Sequence, residues 1–151
     1  MPHSMIVVSP YYEEISAHLL EGAKAVLKKE NWTYEVFEVP GALEIPLALR
    51  YGVKRKEGRG AGKLKFDAFV ALGCVIRGQT SHYDIVCNES ARGLYTVSLE
   101  YGVPVGNGIL TCENREQALE RAHTDKKNKG AGAAQAAIDL FNLSMELEVY
   151  R

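Results

Sequence analysis

Along this chain, short apolar runs alternate with longer stretches in which apolar residues recur every three or four positions. MIVV at Met5–Val8 is a β-branched run that stops at Ser9-Pro10 and reads as a buried strand. From Tyr11 to Lys29, Ile15, Leu19, Ala23, Val26 and Leu27 fall at helical spacing. TYEVFEV at Thr33–Val39 alternates as a second strand and ends at Pro40-Gly41. A helix follows over Leu43–Tyr51. Pro46 is tolerated only in a first turn, so that helix starts at about Ala42–Leu43. Phe66–Ile76 is apolar almost without a break, the pattern of a strand covered on both faces. Tyr83–Tyr101, with Ile85, Val86, Leu94, Val97 and Leu99, reads as a long helix and Val103–Thr111 as a fourth strand. Asn114–Ala122 and Lys129 to about Leu147 read as two closing helices, the second opening with GAGAAQAA, a small-residue run suited to close packing.

Strands alternating with helices predict an α/β fold, a parallel sheet with right-handed crossovers and helices on both faces. At 151 residues the chain makes one domain, 1–151, with a single substantial core. KRKEGRGAGKLK at Lys54–Lys65 is glycine- and charge-rich and is expected to be an exposed loop rather than a boundary or a nucleic-acid patch. In parallel sheets, ligands sit beyond the carboxyl ends of the strands. Three segments of unusual chemistry stand there: Ser9-Pro10-Tyr11, Pro40 to Glu44, and Arg77 to His82.

Composition narrows the function classes. Hydrophobic residues make up 46% and charged ones 25%, with a formal net charge of −1, so there is no basic footprint for nucleic acid or for a membrane surface. No apolar run approaches the roughly 20 residues of a membrane span. MPHSMIVVSPYY lacks the features of an export signal. Cys74, Cys87 and Cys112 are odd in number and widely spaced, which suits a reducing cytoplasm and offers neither a disulfide framework nor a zinc site. Clustered metal ligands are missing, as are the glycine-loop nucleotide motifs.

The candidate chemistry starts at RGQTSHYD, Arg77–Asp84, where a buried strand runs into a helix start. Backbone N–H groups, the helix dipole and the hydroxyls of Thr80 and Ser81 make an anion cradle that would hold a phosphate against Gln79 and Thr80. Helix capping is the other use of those hydroxyls. His82, beside the cradle, suits general acid–base work. Gly41 and Ala42 present backbone groups to a flat heterocycle or a polyol. Glu44 either joins them or answers the helix dipole. Tyr11 stacks on an aromatic ligand or simply packs. Cys74, inside an apolar strand, reads as a structural thiol rather than a nucleophile.

Taken together, VPGALEIPLAL, FDAFVALGCVIRGQTSHYDIV, GVPVGNGILTCENREQALERA and KNKGAGAAQAAIDL resemble the lumazine synthase family in order and spacing, over most of the chain from Ile6 to Leu143. The resemblance implies a three-layer α/β/α sandwich with a four-stranded parallel, flavodoxin-like sheet. It also implies a transferase of riboflavin biosynthesis that uses no cofactor or metal. Such enzymes condense 5-amino-6-(D-ribitylamino)uracil with 3,4-dihydroxy-2-butanone 4-phosphate to 6,7-dimethyl-8-ribityllumazine, phosphate and water. By the same resemblance Tyr11 stacks on the pyrimidine, and Ala42, Leu43 and Glu44 bind the pyrimidine and ribityl portions. Cys74, Val75 and Ile76 add backbone contacts, Gln79 and Thr80 bind phosphate, and His82 transfers protons.

Asn107, Arg121 and Lys129 correspond to residues that a neighbouring subunit supplies, in a homo-oligomer expected to be an isolated cytoplasmic pentamer. Asn107 stands where the family commonly has an aromatic, and SPYYEE departs from the commoner arginine-aromatic-asparagine pattern. A riboflavin synthase and a non-catalytic flavin- or lumazine-binding module are the rival readings.

Overall fold

Strand β1 (His3–Val8) alternates between two hydrophobic clusters, and that alternation sets the layering. Ile6 and Val8 point into one cluster, Met5 and Val7 into the other. The computed structural model describes residues 1–55 and 63–149. Within them β1, β2 (Thr33–Glu38), β3 (Ala68–Ile76) and β4 (Val105–Cys112) form one sheet in the order β2-β1-β3-β4. All three pairings are parallel. Helices α1 (Glu13–Lys29), α4 (Arg115–Ala122) and α5 (Lys129–Glu146) cover one face, where Ile15, Leu19, Ala118 and Ile138 meet Ile6, Val70 and Leu72. Helices α2 (Ile45–Lys54) and α3 (His82–Tyr101) cover the other, where Ile45, Leu49, Leu94 and Val97 meet Val7, Phe69 and Ala71. The result is the expected three-layer sandwich.

Element ends move by one to three residues from the sequence reading, each for a local reason. Ser9 and Pro10 turn the chain out of β1, and α1 starts only at Glu13, with Glu13 and Glu14 in its first turn where the dipole favours carboxylates. A single 3₁₀ turn (Ala42–Glu44) precedes α2, so Pro46 falls in the first turn of the α-helix proper. Asn114 caps α4, its side chain accepting a 2.9 Å hydrogen bond from the Gln117 N–H. Residues 56–62 of the expected Lys54–Lys65 loop lie outside the described residues. The two ends of the segment are joined by a 2.9 Å bond from the Lys65 N–H to the Arg55 carbonyl.

The small-residue opening of α5 packs as its composition predicts. A Cβ at Gly106 would strike the Ala133 carbonyl oxygen, and one at Gly130 would strike that of Leu19. Helix α5 therefore rides on β4 and α1 at backbone-contact distance. Because the obstacle is backbone rather than a flexible side chain, Gly106→Ala is expected to cost about 1–3 kcal/mol. That corresponds to a fall in melting temperature of roughly 2–10 °C, readable by calorimetry.

One expectation needs correcting. The apolar run of β3 predicts a strand covered along its whole length, and its first six residues are buried. Cys74, Val75 and Ile76 are only half-buried. The cause is a difference in strand length. β3 pairs with β4 as far as Ile76, but with β1 only as far as Leu72. Beyond that, the Ser9 N–H makes one last bond to the Leu72 carbonyl at 2.9 Å and the chain turns away. On its β1 side the end of β3 opens into a cleft.

Candidate active site

The cleft lies where neighbouring crossovers leave the sheet in opposite directions, between the ends of β1 and β3, the place at which an open α/β sheet offers a crevice. It holds about 560 Å³, enough for a drug-sized molecule. Its floor is Cys74–Ile76. One wall is the turn from Pro40 to Glu44, another the first turn of α3, and Tyr11 and Tyr12 stand at the rim. Ser9, 4% exposed, holds the floor to the wall, its hydroxyl donating to the Pro40 carbonyl at 3.3 Å.

Nine of the expected site residues line this cleft: Tyr11, Ala42, Leu43, Glu44, Cys74, Val75, Ile76, Thr80 and His82. Tyr11 and Tyr12 meet edge to face, their ring centroids 4.9 Å apart. Tyr11 is 74% exposed and presents a free ring, whereas Tyr12 packs against the core. Burial, then the neighbouring Tyr11 and Cys74, raise the Tyr12 hydroxyl pKa. Ala42 is buried, while Leu43 and Glu44 are exposed on the 3₁₀ turn.

Cys74 is not an activated thiol. Burial first, then Cys112, push its pKa up to about 12, so at neutral pH it is protonated and unreactive. Cys74→Ala is accordingly expected to keep turnover within about threefold of wild type in a steady-state assay, since a protonated thiol offers no nucleophile. A loss of two orders of magnitude would return the thiol to the chemistry.

The segment from Arg77 to His82, the expected anion cradle, is a turn leading into the N-terminus of α3. Ser81 occupies the cap position of α3 but makes no capping hydrogen bond with its side chain. The Thr80 hydroxyl oxygen accepts from the His82 N–H at 3.3 Å, a long contact, and Asp84 and Ile85 bond to the Ser81 carbonyl. Capping by the hydroxyls is thus only partial, and the helix N-terminus keeps its pull on an anion. Gln79 is exposed in the same turn without lining the cleft wall. His82 lines the cleft at the first position of α3.

Asn107, Arg121 and Lys129 are not in this cleft. They gather in a second depression of about 420 Å³ along the outer edge of β4, between that strand, the end of α4 and the start of α5. The Asn107 side chain accepts from the Ile109 N–H at 3.0 Å, leaving its NH₂ group to donate elsewhere. Arg121 donates to the Gln117 carbonyl at 3.1 Å. Neither Arg121 nor Lys129 forms an ion pair among the described residues. One face of the chain thus offers an anion turn with an imidazole, and another offers two unpaired cations.

Tyr83 and Val86 also line the cleft and were not among the expected site residues. They sit one turn apart on α3 beside His82, so the spacing of His82, Tyr83 and Val86 was the available signal. Arg77, which leads into the turn, is committed elsewhere: its guanidinium bonds Glu113 at 2.7 Å and reaches Asp84 at 3.5 Å. Glu113 first, then Asp84, raise its pKa.

The sequence profile of the family described as 6,7-dimethyl-8-ribityllumazine synthase matches residues 2–145. A protein of that name from Agrobacterium fabrum is 46% identical over 146 residues, 97% of each chain. Another from Bartonella tribocorum is 47% identical over 142 residues, 94% of this chain and 89% of its own. A third, from Methylorubrum extorquens strain PA1, is 52% identical over 137 residues, covering 91% of this chain and 78% of its own.

Proposed function

This chain belongs to the 6,7-dimethyl-8-ribityllumazine synthase family, and from that premise we propose how its two surfaces share one reaction. The reaction is the condensation of 5-amino-6-(D-ribitylamino)uracil with 3,4-dihydroxy-2-butanone 4-phosphate to 6,7-dimethyl-8-ribityllumazine, a step of riboflavin biosynthesis. The pyrimidine lies against the open edge of Cys74–Ile76, where a strand paired with β4 but unpaired on its β1 side offers N–H and C=O groups to a flat heterocycle. Tyr11 covers its face, and the Ala42–Glu44 turn takes the pyrimidine's remaining edge and the ribityl chain. The sugar phosphate sits on the Gln79–Thr80 turn at the start of α3.

Attack of the pyrimidine amine on the ketone gives an imine and releases the ketone oxygen as water. Phosphate then leaves, and closure of the second ring expels water. His82 takes and returns protons between these steps, a role worth roughly 10²–10⁴-fold. Holding two reactants side by side contributes as much or more, up to roughly 7–11 kcal/mol. The site binds first and shuttles protons second.

The observation that carries this reading is the separation of charges. A phosphate ester in the cleft needs a cation, and Arg77, beside it, is already paired. Arg121, permanently charged and able to grip two oxygens, has no ion pair among the described residues but lies on another face. A neighbouring copy that laid its β4 edge over this cleft would supply Arg121 to the phosphate, Lys129 to the same charge and Asn107 to the pyrimidine. We take the assembly to be a ring of five, working in the cytoplasm. Leu47, Tyr51, Tyr95 and Leu99, between 51% and 82% exposed on α2 and α3, are apolar surface of the kind that subunit contacts cover. No helix among the described residues is long and apolar enough to cross a membrane.

Incubating the protein with both substrates and following the spectrum of the product tests the reaction. Formation of the lumazine from the two precursors supports it. Binding without turnover would favour a capture module, and conversion of added lumazine would favour a riboflavin synthase.

A further inference from the structure

The turn that bears Gln79, Thr80 and His82 has few internal bonds of its own, yet it must hold its amides on a phosphate. What closes it is a side chain. The Arg77 guanidinium lies over the Tyr83 ring, 4.2 Å from its centroid, so the two residues that bracket the five-residue turn are stacked on each other. The same guanidinium is held by Glu113 at the end of β4, Nε to carboxylate 2.7 Å, and by Asp84 in the first turn of α3 at 3.5 Å. The Arg77 N–H also bonds the Cys112 carbonyl at 2.9 Å, so the residue is anchored by its backbone too. Arg77 itself does not line the cleft, whereas Tyr83 does.

We infer that Arg77 is a positioning residue, a planar clamp that fixes the phosphate-binding turn by joining Tyr83 to Glu113, rather than a cation that meets the phosphate. This inference rests on the reading of the turn as the seat of the phosphorylated substrate. The geometry favours a clamp over a ligand because one carboxylate takes the Nε–H, a second pairs with the guanidinium at 3.5 Å, and it lies over an aromatic ring. A lysine would keep the charge but lose both the flat stacking surface and the second donor. Misplacing bound reactants by a fraction of their contact distance is enough to cost activity.

The test compares Arg77→Ala, Arg77→Lys, Glu113→Ala and the double variant Arg77→Ala/Glu113→Ala, each checked for wild-type melting temperature and assembly size. The clamp predicts that all four raise the KM for the sugar phosphate by roughly tenfold or more, with the KM for the pyrimidine within about threefold of wild type. It further predicts that Arg77→Lys is as impaired as Arg77→Ala, and that the double variant is no worse than the single ones, because the two residues act as one unit. A normal Arg77→Lys enzyme would show that charge alone suffices and overturn the clamp, as would additive effects in the double variant. Wild-type protein that fails to turn over the two substrates would overturn the functional reading itself. Wild-type turnover with a sensitive Arg121→Ala variant and insensitive Arg77 and Glu113 variants would overturn the clamp alone.

Discussion

Arg121→Ala is expected to raise the KM for the sugar phosphate by roughly 10- to 150-fold and to leave the pyrimidine KM nearly unchanged. This range is what loss of a hydrogen bond to a charged group, about 1.5–3 kcal/mol, translates into. The direction follows from position and charge. Arg121 closes α4 with one N–H on the Gln117 carbonyl and no carboxylate partner among the described residues, so its removal leaves no buried anion stranded within its own chain. The fold should therefore be insensitive, and the melting temperature should stay within about 2 °C of wild type. Steady-state kinetics with each substrate varied in turn, alongside calorimetry, separates the two effects. An unchanged phosphate KM would remove Arg121 from the site.

His82→Ala is expected to lower kcat by roughly 10²-fold and to change neither KM by more than a few-fold, the signature of an interaction made only in the transition state. The residue is at the first position of α3, where its backbone N–H reaches the Thr80 hydroxyl at 3.3 Å and it lines the cleft. Truncating the ring leaves that backbone contact in place, so the turn keeps its shape and the reactants keep their alignment. Turnover should survive at a measurable level. A variant with intact assembly and no detectable product would mean that proton transfer, rather than positioning, dominates the acceleration.

Layering was legible because it follows from period alone. Ile6 and Val8 against Met5 and Val7, and Val70 and Leu72 against Phe69 and Ala71, sort themselves to two faces by alternation. The position of the cleft was legible for a related reason: in a parallel sheet the segments after the strands share one edge. What periodicity does not carry is the relative length of neighbouring strands. The opening at Cys74–Ile76 exists because β1 stops pairing at Leu72, and nothing in the apolar run of β3 itself announces it. The partnership of Arg77 with Glu113 spans 36 positions and depends on β3 and β4 ending side by side, which only register reveals. The same holds for Arg121 and Lys129, whose meeting beside Asn107 needs α4 and α5 folded back onto the strand.

On the proposed reading neither face is sufficient, and each working site takes its imidazole from one protomer and its guanidinium from the next. Mixing the two variants tests it. Unfolded His82→Ala and Arg121→Ala chains, refolded together in equal amounts, should form rings in which about a quarter of the junctions pair an intact cleft with an intact β4 edge. Activity at limiting sugar phosphate should then rise well above that of either variant refolded alone. A mixture whose activity is merely the average of the two would place the whole site within a single chain and contradict the account.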